Sequence, residues 1–149
     1  MSETTFDDTL QAFESAYAEF IAIAENYPEN LQTQAGACGT WSAWEIVAHI
    51  NGWFVEGQRR YRRFSKGTGQ ITYNDDAFNE VSLWIRADKD YEQLIAELKQ
   101  LVADFAQMAR DVSDHHRARD NRYALWLQLM AKEARVHGVQ LQVFQEATA

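Results

Sequence analysis

A chain of 149 residues with 46% hydrophobic and 13% aromatic side chains is long enough for one domain with a buried core, and too apolar to be disordered. Its formal net charge of −8 predicts no nucleic-acid partner and no contact with anionic membranes, because both draw on clustered lysine and arginine. The single cysteine excludes an internal disulfide, and there is no signal-peptide pattern and no run of about 18 apolar residues. We therefore expect one cytoplasmic domain over residues 1–149.

The first predicted helix extends from Thr5 to about Asn26. Apolar residues recur in it at alternating steps of four and three, as in a helix that packs on other helices: Phe6, Leu10, Phe13, Tyr17, Phe20, Ala24 and Tyr27. Pro28 ends this helix, and residues 28–40 are predicted to form a loop. Cys38 in the loop is interpreted as a packed, half-buried residue, with a reactive thiol near a helix N-terminus as the alternative.

The second helix is predicted to begin after Ser42, which has Glu45 at capping-box spacing, and to end near Phe64. Its apolar stripe includes a histidine, and the members are Ile46, His49, Ile50, Trp53, Gly57, Tyr61 and Phe64. A buried imidazole needs partners for both ring nitrogens, so His49 is a candidate functional residue.

The end of this helix, residues 59–63, has the sequence Arg-Arg-Tyr-Arg-Arg. These cations favour the negative end of the helix dipole and are typical of a solvated helix terminus. The alternative is a rim that attracts the carboxylates of a substrate.

A loop over residues 65–75 and a short helix from about Asp76 to Ala87 are predicted next. Asp88 or Asp90 then caps a long helix whose core stripe is Tyr91, Leu94, Ile95, Leu98, Leu101, Val102, Phe105, Met108 and Val112. Residues 113–120 are predicted to be a solvated polar connection. Adjacent histidines at 115 and 116 would point about 100° apart on a helix, which makes a shared ion difficult.

The last helix is predicted from Asp120 or Asn121 to about Gln145, with a core stripe of Trp126, Met130, Glu133, His137, Gln140 or Leu141, and Phe144. Glu133 and His137 are four residues apart, so both side chains can reach one ion. With His49 they form a set of three ligands that leaves metal positions open, as in catalytic sites. The alternatives are a hydrogen-bonded core histidine and a surface Glu–His pair.

Three stretches resemble the DinB/YfiT-like superfamily. Trp41-Ser42 with Glu45-Ile46-Val47-Ala48-His49 and Trp53 looks like its second-helix motif, and residues 133–140 look like its second metal-binding motif. Residues 73–79, Tyr-Asn-Asp-Asp-Ala-Phe-Asn, are also similar to members of the superfamily.

The resemblance implies an all-α, up-down-down-up four-helix bundle with one additional short helix, often dimeric, that holds a divalent metal through residues matching His49, Glu133 and His137. Many members have histidine where this chain has Glu133, whereas the mycothiol-dependent maleylpyruvate isomerase branch also has a His, Glu, His triad. Characterised members are often transferases or isomerases that use a low-molecular-weight thiol.

The first hypothesis is a metal-dependent thiol S-transferase or isomerase acting on a small molecule, with Trp53 as a pocket wall; the alternative for Trp53 is a simple core aromatic. The ion would be Zn, Ni, Fe or Mn, and it would lower the pKa of a bound thiol or water. The second hypothesis is a metal-dependent hydrolase or detoxification enzyme on the same site. The third is a non-catalytic, stress-related bundle in which His and Glu form a buried hydrogen bond.

Overall fold

The structure, a computed structural model, describes residues 5–67 and 74–149. In these ranges the chain is all-α, as predicted, and contains no named strand. The helices are α1 (Phe6–Glu25), α2 (Ala43–Ser65), α3 (Asp75–Trp84), α4 (Tyr91–Asp111), α5 (Asp114–Arg119) and α6 (Arg122–Thr148), with a 3-10 turn at Glu29–Leu31.

The starts of the long helices follow from local capping. Thr5 and Ser42 each accept a hydrogen bond from the backbone of the third helical residue, whose side chain bonds back to the cap. Asp90, one of the two predicted caps, does the same for α4. These boxes satisfy backbone N–H groups that have no partner inside the helix, which is why the predicted starts are confirmed.

The four long helices run up, down, down and up. Tyr17 of α1 and Tyr27, just after the end of α1, donate their hydroxyl protons to the carbonyls of Met130 and Leu141, so α1 and α6 are parallel. Tyr91, at the start of α4, donates to the carbonyl of Ala24 near the end of α1, so α1 and α4 are antiparallel.

A similar bond joins α2 to α6. Tyr61, near the end of α2, donates to the carbonyl of Tyr123 at the start of α6, so these two helices are antiparallel. Between the helices lies an aromatic core that includes Phe13, Phe54 and Phe105, all completely buried. Each of these four donating tyrosines therefore contributes apolar area and satisfies its hydroxyl on a neighbouring helix.

α3 lies directly on α2, and a glycine permits the contact. A Cβ at Gly52 would collide with the Oγ of Ser82 and lie 2.6 Å from its Cβ. Ser82 is buried and donates its hydroxyl proton to the carbonyl of Phe78. Because Gly52 has no side chain, α3 packs close to the backbone of α2, and side chains of α3 lie beside the middle of α2.

Two predicted elements differ from the structure. The short helix begins at Asp75 with Asn74 as its cap and ends at Trp84, before the predicted end at Ala87. The predicted solvated connection at 113–120 is wrong in its conformation, because Ser113 caps the short helix α5 by accepting from the backbone N–H of His116. The prediction for residues 68–73, which include Tyr73 of the resemblance motif, lies outside the described residues.

Over residues 5–67 and 74–149, none of the helices combines the length and the apolar character needed to cross a bilayer.

Candidate metal centre

The three predicted ligands come together between α2 and α6. Nε2 of His137 lies 3.0 Å, and Nε2 of His49 lies 3.4 Å, from Oε2 of Glu133. One ligand atom from each residue lies within 4.8 Å of the other two. Both histidines are buried, whereas the Glu133 side chain is 38% exposed and faces a cavity. Within the described ranges no other His, Cys, Asp or Glu residues form such a group, so His115 and His116 on α5 are not part of one.

A residue on α3 determines that Nδ1 of His49 carries a proton. Oδ1 of Asn79 lies 2.8 Å from Nδ1 of His49 and 2.8 Å from Nε1 of Trp53. An indole nitrogen can only donate, so the atom that faces it must be the amide oxygen. The same oxygen then accepts from His49, which places a proton on Nδ1, so in the neutral imidazole the Nε2 lone pair faces Glu133.

His137 is held in a similar way. Oε1 of Gln140 lies 2.7 Å from Nδ1 of His137 and accepts its proton, so its Nε2 also faces Glu133. This is the arrangement of metal-binding histidines, in which one ring nitrogen binds the ion and the other donates to an oxygen.

The electrostatics of the group require a cation. Two imidazole lone pairs and a carboxylate oxygen repel one another at these distances unless a proton or a metal ion lies among them. When the histidines carry a proton on Nε2, the hydrogen bond that His137 donates and then the one that His49 donates hold the pKa of Glu133 well below its usual range, against the opposing effect of burial. The carboxyl group is therefore ionised at neutral pH, and the donor set of two imidazoles and one carboxylate fits a divalent ion.

The group opens on a cavity of about 310 Å³ between α2, α3 and α6. Its lining residues are His49, Trp53, Arg60, Asp75, Asn79, Trp126, Leu129, Met130 and Glu133. Trp53 therefore lines the pocket, as the first hypothesis requires. Trp41 packs on the His49 ring with centroids 4.9 Å apart, and nearby Cys38 is half-buried, as interpreted from the sequence.

Sequence reasoning missed one residue of this site, Asn79, and considered another, Arg60, only as part of a group. Asn79 lies 30 positions after His49, and no helical spacing connects them. The sequence contained one indication of Asn79: it is the last residue of the stretch 73–79 that resembles the superfamily. No role was assigned to that stretch. Arg60 was considered only as part of a basic run, yet it lines this cavity, whereas Arg59, Arg62 and Arg63 line another cavity with Lys66.

Comparison with known proteins identifies the fold. A family model described as the DinB superfamily matches residues 12–141. No curated protein matches the chain. An uncharacterised protein from Escherichia coli UTI89 superposes with a TM-score of 0.80 at 13% identity, covering 98% of this chain and 95% of that one. A Streptococcus pneumoniae protein gives 0.75 at 14% identity, covering 98% and 93%.

The colibactin self-resistance protein ClbS, in complex with double-stranded DNA, superposes with a TM-score of 0.78 at 16% identity over 98% of both chains. The prediction that net charge excludes a nucleic-acid partner is therefore wrong, because a protein of this fold binds DNA. Net charge is a sum over the chain, whereas phosphates contact a local surface. Here Arg59, Arg62, Arg63 and Lys66 surround one cavity of about 340 Å³ at the end of α2, despite the charge of −8.

Proposed function

This chain belongs to the DinB superfamily, and on that premise we propose that it is a divalent-metal-dependent thiol S-transferase or isomerase acting on a small molecule. The observation that carries the proposal is the convergence of His49 Nε2, His137 Nε2 and the Glu133 carboxylate beside an open cavity. Three protein ligands leave positions for a thiol or a substrate, as in catalytic sites.

The chain's own residues define what happens around the ion. Asn79 and Gln140 fix the two imidazoles so that each presents an unprotonated Nε2. The indole of Trp53 closes one side of the cavity and limits the access of water. When bound, a divalent ion lowers the pKa of a thiol or water molecule, which provides an anionic nucleophile at neutral pH.

The test is elemental analysis of the purified protein beside His49→Ala and His137→Ala. We expect about one Zn, Ni, Fe or Mn ion per chain in the wild type, in line with the three-ligand set, and its loss in both variants. His115→Ala is the matched control, since this exposed histidine lies on α5 outside the cluster. Circular dichroism must show the same helical signal in all four proteins. A wild type that takes up no ion after incubation with Zn, Ni and Mn would overturn the proposal.

A metal-dependent hydrolase or detoxification enzyme is the second candidate. It is favoured by the self-resistance role of ClbS, which shares the fold. The cavity wall also contains Asp75, a carboxylate outside the proposed ligand set. Assaying the metal-loaded protein with activated conjugates, with and without small thiols, separates the two candidates: turnover that requires the thiol supports transfer, and turnover with water alone supports hydrolysis.

The proposal includes a homodimer, as the resemblance implies, and a cytoplasmic location. An exposed apolar face of α6 supports the dimer and is argued below at the scale of the whole molecule. The single cysteine is in keeping with a reducing compartment.

A further inference from the structure

We propose that Arg60 is the anion-binding residue of this cavity and that the small molecule bound there carries a carboxylate group. This inference rests on the proposed function and names the substrate class of the same site. The starting observation is that Arg60 lines the cavity together with His49 and Glu133. Among the described lining residues it is the sole lysine or arginine.

The guanidinium of Arg60 packs against the indole of Trp126, with the indole of Trp53 next to it. Its central carbon lies 4.4 Å from the ring centroid of Trp126 and 6.0 Å from that of Trp53. An aromatic face attracts a guanidinium and favours arrangements in which its N–H donors lie in one plane. A planar group held in this way matches a carboxylate, which accepts two parallel hydrogen bonds.

A buried carboxylate anchors the same side chain from below. Glu56 is 1% exposed, and its Oε1 lies 3.4 Å from Nε of Arg60, which is the inner edge of the guanidinium. Arg59 lies 3.9 Å from the other oxygen, Oε2. Two arginines thus face one buried carboxylate, and this group of three has a net positive charge. The negative charge of Glu56 is therefore outweighed by the two arginines, so Glu56 does not prevent an anionic ligand from binding at Arg60.

The shape of the cavity limits the rest of the ligand. Trp53, Trp126, Leu129 and Met130 give it apolar walls, and its volume is about 310 Å³. That volume is at the lower end for small-molecule sites. The site therefore suits a compact molecule with an apolar body, a carboxylate at Arg60 and a thiol or another metal-binding group at the His–Glu–His cluster.

The test compares two thiols that differ only in charge. The titration of Zn-loaded protein with 3-mercaptopropionate and with 3-mercaptopropionamide, followed by calorimetry, gives both dissociation constants. We expect the wild type to bind the acid roughly ten- to a hundredfold more tightly than the amide, as a charge-assisted bidentate pair implies. Arg60→Gln should remove this preference and leave binding of the amide unchanged. Arg62→Gln is the control, because this exposed side chain lines a different cavity at the end of α2.

Arg60→Lys provides a second variant in case Arg60→Gln leaves Glu56 without a counter-charge and unfolds. It keeps the charge but loses the two-pronged geometry, so it should retain a reduced preference for the acid. Equal affinities for acid and amide in the wild type would overturn the inference and leave the metal site intact. If Zn binds but neither thiol does, the thiol chemistry fails, and benzoate against benzamide on the same proteins decides the role of Arg60. Absence of Zn uptake would contradict the proposed function itself.

Discussion

His49 shows how one hydrogen bond decides whether a buried imidazole can be a ligand. Its Nε2 is available only because Nδ1 donates to Asn79, and the oxygen of Asn79 is identified by the indole N–H of Trp53. Removing this acceptor frees the ring to rotate and to exchange its proton between the two nitrogens. Mutation of a hydrogen-bond partner of a metal-binding histidine typically lowers metal affinity ten- to a hundredfold.

We therefore predict that Asn79→Ala weakens metal binding by roughly ten- to a hundredfold while His49 and the other ligands remain. A carboxylate can accept the same two hydrogen bonds, so Asn79→Asp should keep most of the affinity. Competition with a chelating dye of known affinity gives the dissociation constants. If Asn79→Ala binds the ion as tightly as the wild type, Asn79 does not position His49.

The spacing of the residues predicted which three candidate ligands come together, but not the residues that hydrogen-bond to them. Glu133 and His137 are on one helix, so the helical period is enough to place them together. His49 was added because it occupies the core stripe of another helix. Asn79 reaches His49 through the packing of α3 on α2, and this packing depends on tertiary contacts that a sequence period does not contain.

Two glycines in α2 set the distances between this helix and its neighbours. Gly52 lies under α3 at Ser82, and a Cβ at Gly57 would collide with Nε1 of Trp126 from α6 and lie 3.1 Å from Phe105. Small residues where helices meet let the backbones approach closely. The positions of Asn79 on α3 and of Trp126 on α6 around the cavity therefore depend on α2 having no side chain at 52 and 57.

We predict that Gly52→Ala pushes α3 away from α2, lowers stability by about 1–3 kcal/mol as overpacking does, and weakens metal binding by moving Asn79. Thermal unfolding and the dye competition measure the two effects. Gly138→Ala is the matched control, because a Cβ there would make only ordinary contacts, 3.5 Å from Ile23 and 3.8 Å from Phe20. In the double variant Gly52→Ala with Ser82→Gly the obstacle is gone, so metal affinity should recover. A Gly52→Ala protein with wild-type stability and affinity would contradict this account.

Capping residues explain which elements could be predicted from the sequence. Thr5, Ser42 and Asp90 have local signatures that mark helix starts within one residue. The short helix α5 was missed because its six residues have no apolar stripe, and in it no residue is buried. Its cap, Ser113, was present in the sequence, but a capping residue without a periodic segment after it does not distinguish a helix from a turn.

The distribution of charge over the molecule explains why the prediction about nucleic-acid partners, which was based on the net charge, was wrong. Acidic residues outnumber basic ones by 22 to 14, but the sum does not report where the cations lie. Four of them surround one cavity at the end of α2, and Arg60 faces the candidate site. Charge arguments from a sequence therefore need the fold before they can exclude a partner.

The helix α6 has a second apolar face that the bundle does not cover. Leu125, Leu129, Val136, Val139 and Val143 are each between 44% and 58% exposed. With the exposed Lys132 they follow steps of four and three over 19 residues, about 27 Å of helix. This spacing is typical of a seam between two helices. Soluble monomers rarely expose an apolar stripe of this length.

The stripe is symmetric about Ala134, so it can pair with a second copy of the same helix, as the proposed homodimer requires. In an antiparallel pair centred there, Leu125 meets Val143, Leu129 meets Val139, and Lys132 meets Val136 of the other copy. A two-fold interface requires such self-complementarity. The aliphatic part of Lys132 can pack in the seam while its ammonium group reaches water. Two such helices with their flanking side chains bury on the order of 1,000 Å² in total, the lower range for a specific interface.

We predict a homodimer for the wild type and monomers for Val139→Glu and Val143→Glu, measured by light scattering after size-exclusion chromatography. Each substitution occurs in both subunits of the symmetric interface, so the dissociation constant of the dimer should rise roughly a hundredfold or more. Val81→Glu is the matched control, since Val81 is 54% exposed but lies on α3. A monomeric wild type, or variants that stay dimeric, would contradict the symmetric α6 interface. Because Leu129 belongs both to the stripe and to the cavity wall, dissociation should also alter ligand binding at Arg60 while metal content stays at the wild-type level.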